Sequence, residues 1–507
     1  MTMGQCRKGI IALLIAGFFT CFLQAQNPQI LLDRSLEFSS HQLFSTVSDL
    51  LDYSVYGDSI YPRSTLHVNG KWKPMLEGHW ASGFLPGCLW YMFYWTSDTT
   101  WKGWAESWTQ GVEHEQYRNR DHEAGFIIYR SYGLGYKFTQ NTAYKAVIIE
   151  AAHSLATRYN PTVGCIRSWD NRYFPVIIDG MMVLETLFWA AKNGGDANLY
   201  NIALSHALKT RENNVRSDGS NFQIVDYNPL NGSVISRTNK QGYSDSTTWS
   251  RGQAWGIYGF SVAYRETKDS RFLETAQKLA DYFINNLPSD HIPYWDFKAP
   301  NIPNEEKDVS AAAISASGLL ELSTLIAIDS LQKKYYDEAL NILVSLSSSQ
   351  YLAEGTNSKG ILLHGVGNRM NPDPIAGEVD VSLIYADHFF IEALLRYKQL
   401  STSVDFDSHL RPRLPSYLQL FQNYPNPFNS QTSIKYELFI NSDIDLSVFS
   451  LFGVKVKTLK NQYEYKGVYT SSWDGRDDSG NEVATGVYYY RLLLNKEVEV
   501  KSAVLIK

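Results

Sequence analysis

Between about residues 40 and 400 the apolar and polar positions alternate mainly with a helical period. One unit recurs along this stretch. In YWTSDTTWKGWAESW, YKFTQNTAYKAVIIEAA, AAKNGGDANLYNIALSHA and YRETKDSRFLETAQKLADYF an apolar helix ends, a short Thr/Gly/Asn/Asp turn follows, and a new helix opens. An aromatic stands in the first turn of each new helix: Trp101, Tyr144, Tyr200 and Phe272. LQKKYYDEALNILVSL, around Tyr336, reads as a fifth copy. Asp and Asn before such helices cap their free N–H groups. The copies lie roughly 40 to 75 residues apart, about one helical hairpin and a variable loop each. Repeated hairpins stack as an open solenoid or close into a ring. Irregular loops favour a closed toroid with a functional face, because long loops over a compact core usually carry function.

Near residue 400 the pattern changes. STSVDFDSHLRPRLPSY is polar and contains proline, and is read as a linker over 401–414. Beyond it, NYPNPFNSQTSIKYELFINSDIDLSVFSLFGVKVKTL breaks into short β-rich runs, WDGRDDSGNEV clusters turn residues, and GVYYYRLLL is a strong strand signal. Residues 415–507 therefore predict a small all-β sandwich. At the other end, Arg7 and Lys8 precede the apolar GIIALLIAGFFTCFL and a small residue, Ala25. This is the pattern of a secretory signal peptide over 1–25, shorter than a comfortable membrane span. No other apolar run approaches membrane length, so an exported, soluble chain is expected, with its main domain over 26–400.

Charge narrows the function. The formal net charge of −6 gives no basic footprint for nucleic acid. Aromatic residues make up 14% of the chain, with 13 Trp and 33 Tyr; these suit core packing first, and stacking against sugar C–H faces second. Removal of the signal would leave Cys88 and Cys165, whose separation defines neither a disulfide nor a metal motif. HExxH, paired CxxC and GxxxxGK[ST] are all missing. GYSDS at 242–246 lacks the last glycine of a serine nucleophile elbow.

The acids carry the remaining signal. Asp179 sits amid VIIDGMMVLETLFWAA, at the start of an apolar helix whose Met182 and Leu187 face the core. One reading is a plain N-cap. The other is a carboxyl in apolar surroundings, protonated near neutrality as a general acid must be. DHEAGFIIYRSYGLGY offers Glu123, either at a solvated helix start or paired with Asp179 across a cleft. In KQGYSDSTTWSRGQAWGIYGF a helix from about Thr248 puts Arg251 and Trp255 on one face, four residues apart. That pair suits an acidic sugar, or else forms an Arg–Trp stack within the core. Gln241 and Gln253 add neutral hydrogen-bonding groups, and Trp80 in GHWASGFLPGCLWYMFYW offers a stacking wall or a core residue.

Taken together, these motifs resemble glycoside hydrolase family 88, the unsaturated glucuronyl hydrolases. The resemblance runs from about residue 70 to 400. It rests on WASGFLPGCLW, HEAGF, GYKFTQNTAY, IRSWD, FPVIIDGMMVLETLFWA, RSDGSNFQIVDYNP, QGYSDSTTWSRGQAWGIYGF, YRETKD, IPYWDF and DVSAAAISASGLLELS. It implies an (α/α)6 toroid and removal of the unsaturated uronic acid that polysaccharide lyases leave at a non-reducing end, with no metal or organic cofactor. It places Asp179 on the acid/base aspartate, and Gln241, Arg251, Trp255, Trp80 and Trp169 on substrate-pocket positions. Two positions depart: Glu123 stands where the family pattern HDxGF has its second aspartate, and Gln223 where a histidine is common. Two alternatives stay open, the sister reaction of family 105 on unsaturated rhamnogalacturonyl substrates and a catalytically impaired surface glycan-binding protein. The C-terminal segment, through YPNPFN, SLFGVKVKTL and WDGRDDSGNEVATGVYYYRL, resembles the immunoglobulin-like sorting domain of the type IX secretion system. That resemblance implies passage through the secretion machinery to the surface or the medium.

Overall fold

The four first-turn aromatics each occupy the third position of a helix, and those helices form most of the outer wall of a ring. The computed structural model describes residues 28–54, 61–370, 377–402, 418–450, 455–494 and 497–506. The signal-peptide reading, most of the linker and part of SLFGVKVKTL lie outside the described residues. The chain divides into two compact units, Met1–Asp407 and Ser408–Lys507.

In the first unit the helices are α1 (Pro28–Ser54), α2 (Phe84–Thr96), α3 (Thr99–Gln110) and α4 (Ala124–Ile128). A π turn, Tyr129–Gly133, carries α4 into α5 (Leu134–Thr139). Then come α6 (Thr142–Ala156), α7 (Gly180–Lys192), α8 (Asn198–Asn213), α9 (Ser250–Thr267) and α10 (Ser270–Asn285). The last are α11 (Val309–Leu325), α12 (Asp329–Leu346) and α13 (Ile384–Thr402). Helices α2, α4–α5, α7, α9, α11 and α13 touch one another in that order, and α13 closes back on α2. Each is backed by an outer helix: α3, α6, α8, α10 and α12 in turn, and α1 behind α13. Six hairpins thus close into an (α/α)6 toroid, the sixth made of the first and last helices.

Burial separates the two rings. In outer α10, Phe272, Thr275, Ala276, Leu279, Ala280 and Phe283 are buried, a single stripe at helical spacing. Burying Phe272 alone contributes about 1.5–3 kcal/mol. Inner α11 is buried on nearly every side, and its Ala, Ser and Gly residues let neighbours approach closely. Asp98, Asn141 and Asp269 cap α3, α6 and α10 through their side chains, as expected. The fifth copy differs: Tyr336 is buried but lies in the third turn of α12 rather than the first. Cys88 and Cys165 are buried and unpaired. Among the described residues no helix is long and apolar enough to cross a membrane.

The second unit holds a three-stranded sheet, Leu418–Leu420, Thr432–Leu438 and Gly467–Trp473. A four-stranded sheet, ordered Lys455–Glu464, Ser442–Ser450, Gly486–Leu494 and Glu497–Leu505, faces it. Every other residue is buried along the strands, Ile434, Tyr436 and Leu438 on one sheet and Tyr490, Leu492 and Leu494 on the other. They form a core of their own.

Candidate active site

Because inner helices alternate with outer ones, all six inner helices run the same way and their N-termini share one end of the ring. Each delivers a side chain there. Trp80 precedes α2, Glu123 precedes α4, Asp179 precedes α7, Arg251 lies in the first turn of α9, Asp308 precedes α11, and Tyr385 opens α13. Contacts join the Trp80, Tyr385, Arg251 and Asp308 side of this face. Trp80 meets Tyr385 at 4.9 Å between ring centroids and Phe126 at 5.8 Å, the Arg251 guanidinium lies 5.3 Å from the Tyr385 ring, and Arg251 pairs with Asp308 at 2.9 Å. Six helix N-termini also aim their free N–H groups and positive dipole ends at this face, which favours an anionic ligand.

Asp179 is positioned by close helix packing. A Cβ on Gly125 of α4 would come within 2.4 Å of Val183 on α7, and one on Gly259 of α9 within 2.4 Å of Met181. Only glycine lets α7 nest so tightly between its neighbours. Asp179 occupies the N-cap position, yet its side chain makes no capping bond. Its Oδ1 is enclosed and has no hydrogen-bond partner, while the residue keeps part of its surface open. Burial lifts its pKa to about 6, against the opposing charge of Arg251.

Glu123 is held by an arginine that the motif reading passed over. Arg118 Nη2 donates to Glu123 Oε2 at 3.0 Å, while the same guanidinium grips both oxygens of Asp121, Glu115 Oε2 and the Gly78 carbonyl. The Glu123 pKa rises to about 7, first through burial and then through Asp121 and Asp179, with Arg118 and Arg120 opposing. Asp121 and His122 are buried, unlike a solvated helix start. The His122 ring packs 5.9 Å from Trp169, and burial lowers its pKa to about 4, so it is neutral near pH 7.

Gln223, Gln241 and Arg251 converge on one strand. Gln223 Nε2 donates to Gln241 Oε1 at 2.6 Å, and Gln241 Nε2 and Arg251 Nη2 both donate to the Gly367 carbonyl. Arg251 also donates to Ser310 and the Val366 carbonyl, and is only 3% exposed. It therefore ties the Gly365–Asn368 strand to α11 and supplies charge to the site without offering a free fork. Two details of the Arg–Trp reading change. The helix begins at Ser250, and the guanidinium stacks on Trp249 at 4.5 Å instead of Trp255. Trp255 is 1% exposed, wedged between Phe126 and Phe389, so it has no open face for a sugar and backs the wall that Phe126 and Trp80 form. Gln253 is buried against Asn221 and two backbone carbonyls, away from this group.

Arg118, Asp308 and Tyr385 were not assigned roles from sequence. Arg118 stands three residues after Glu115, three before Asp121 and five before Glu123, the three acids it holds, a short-range basic–acidic pattern that was readable. Asp308 opens the DVSAAAIS block and caps α11 through Ser310 N–H. Nothing local marks Tyr385.

A closed ring of six hairpins, two pKa-raised carboxyls and aromatic walls at its N-terminal end make this molecule a toroidal glycosidase. Known proteins narrow the class. The chain is 41% identical over 359 residues to the unsaturated glucuronyl hydrolase of Formosa agariphila, spanning 69% of this chain and 88% of that enzyme. A solved unsaturated glucuronyl hydrolase specific for heparin superposes with TM-score 0.69 at 36% identity, covering 74% of this chain and 99% of that one. An aspartate-to-asparagine variant of such a hydrolase, solved with dGlcA-Glc-Rha-Glc, gives TM-score 0.66 at 28% identity over 73% and 97% of the two chains. Residues 422–507 match the Secretion system C-terminal sorting domain. The chain belongs to glycoside hydrolase family 88, the unsaturated glucuronyl hydrolases, and carries a sorting domain that directs it through type IX secretion to the cell surface or the medium.

Proposed function

We propose that this hydrolase removes a 4,5-unsaturated uronic acid from the non-reducing end of lyase-made oligosaccharides by hydrating its double bond. The carrying observation is Asp179: an enclosed carboxyl oxygen without a partner, on a group whose pKa is lifted to about 6. Protonated Asp179 gives its proton to C4. Positive charge develops at C5, shared with the ring oxygen. Water adds to C5 and returns a proton to Asp179. The C5 hemiketal opens to a ketone, and the C1 hemiacetal left behind releases the leaving sugar as an alcohol. One water is consumed, and Asp179 ends as it began.

Glu123, held by Arg118, accepts hydrogen bonds from sugar hydroxyls and stabilises the developing positive charge. Trp80 and Trp169, both half-buried, offer ring faces to the sugars. Gln223 and Gln241 set the polar edge of the pocket, and the ring of helix N-termini attracts the uronate carboxylate. The test is a panel of unsaturated oligosaccharides from uronate polymers, followed by loss of the ultraviolet absorbance of the conjugated double bond. Absorbance should fall with at least one member. Persistence of the absorbance with every member would refute the proposal.

A further inference from the structure

An open cavity of about 520 Å³ lies beside the site and is used by none of the chemistry above. It is lined by Asp170, Asn171, Arg172 and Tyr173 from one loop, and by Asp226, Ile235 and Ser236 from the adjoining sheet. The volume falls in the range of about 300–1,000 Å³ that small-ligand sites occupy.

Its place follows from the chain. Asp170 directly follows Trp169, whose ring packs on His122 beside Glu123. From this loop the strand Pro175–Ile177 runs on to Asp179, paired with Ile224–Tyr227 so that Pro175 faces Asp226. Asp226 stands three residues beyond Gln223, about 10 Å along an extended strand. Through Trp169 and Asp170 the cavity is therefore linked along the chain to the Glu123 side of the site.

The walls suit a sugar. Tyr173 is 68% exposed, yet its loop is pinned: Arg167 Nη2 donates to the Arg172 and Tyr173 carbonyls at 2.7 and 2.9 Å, and Arg158 and Arg167 both pair with Asp170. An exposed ring on a fixed loop is a ready platform for a pyranose face. Asp226 is 1% exposed; its Oδ2 accepts from Arg172 and from Ser236 at 3.0 Å, while Oδ1 has no partner. Asn171 and Ser236 add an amide and a hydroxyl. Arg158, Arg167 and Arg172 pair with the two lining carboxylates, so the walls carry no net negative charge and offer hydrogen-bonding groups to sugar hydroxyls.

We propose that this cavity is a binding subsite for a sugar on the leaving-group side, beyond the ring attached to the unsaturated uronate. The subsite makes the enzyme prefer oligosaccharides longer than a disaccharide. It rests on the proposed reaction, and the two can fail separately.

The test compares the unsaturated disaccharide and the unsaturated tetrasaccharide of the polymer series that the enzyme cleaves best. Wild type should show a higher kcat/KM on the tetrasaccharide. Tyr173→Ala should lower the tetrasaccharide value by about 2- to 10-fold, the size of one aromatic contact, and leave the disaccharide value unchanged. Tyr173→Phe, which keeps the ring, should keep the preference. Equal kcat/KM on both lengths in wild type, or an equal loss on both in Tyr173→Ala, would overturn the subsite while leaving the reaction standing. No turnover of any substrate would overturn both.

Discussion

At the scale of single residues the account turns on two carboxyls and one arginine. Asp179 and Glu123 have pKa values lifted to about 6 and about 7, and the charge of Asp179 is one cause of the rise at Glu123. The working form has Asp179 protonated to supply C4 and Glu123 ionised to support charge at C5; because Asp179 is the stronger acid of the two, this is the minor singly protonated form. The sign follows. Below about pH 6 both carboxyls are protonated and the charge support is lost; above about pH 7 the last proton leaves and the acid is lost. A kcat/KM profile should therefore be a bell with its top between those values. Glu123→Gln should lose the acid limb and bring the alkaline limb to about 6, where Asp179 titrates alone. Glu123→Asp withdraws the carboxylate from Arg118, now 3.0 Å away. About 1 Å of misplacement costs on the order of 10²-fold, so this variant should lose kcat by about that factor in steady-state assays. Asp179 stood out in the sequence as a candidate because a lone carboxylate among apolar residues is unusual. Its missing cap bond and the enclosed Oδ1 did not, since both depend on how three helices meet.

At the scale of elements the hairpin repeat was readable, because caps and first-turn aromatics are local signals. Trp101, Tyr144, Tyr200 and Phe272 marked four of the outer helices correctly. The sixth hairpin was not readable, because α1 and α13 come from opposite ends of the domain and share no turn. The partner of Arg251 was misread for the same reason: spacing places Trp255 on its face, whereas the stack is with Trp249, and the ion pair is with Asp308 from a different helix. Close packing around α7 gives a stability prediction. In Gly259→Ala the new Cβ would lie 2.4 Å from Met181 Cβ and 3.0 Å from its backbone carbonyl carbon. Overpacking of this kind costs about 1–3 kcal/mol, to be read as a lower urea midpoint with an unchanged m-value.

At the scale of the whole molecule two units with separate cores divide chemistry from address. The sandwich was legible from period-2 burial and turn clusters, and its sorting role from sequence motifs alone. Deleting 408–507 should keep the hydrolase inside the cell envelope, with activity found in the cell fraction instead of on the surface or in the medium. Surface or medium activity equal to that of the full chain would contradict that division.

The central claim is that Asp179 supplies the proton that starts hydration. Its most direct test is the rate of ultraviolet absorbance loss with the best unsaturated oligosaccharide, for wild type and Asp179→Asn at equal concentration. The account predicts that the asparagine variant folds as wild type does and loses at least about 10²- to 10⁴-fold in kcat. A folded Asp179→Asn variant within a few-fold of wild type would contradict it.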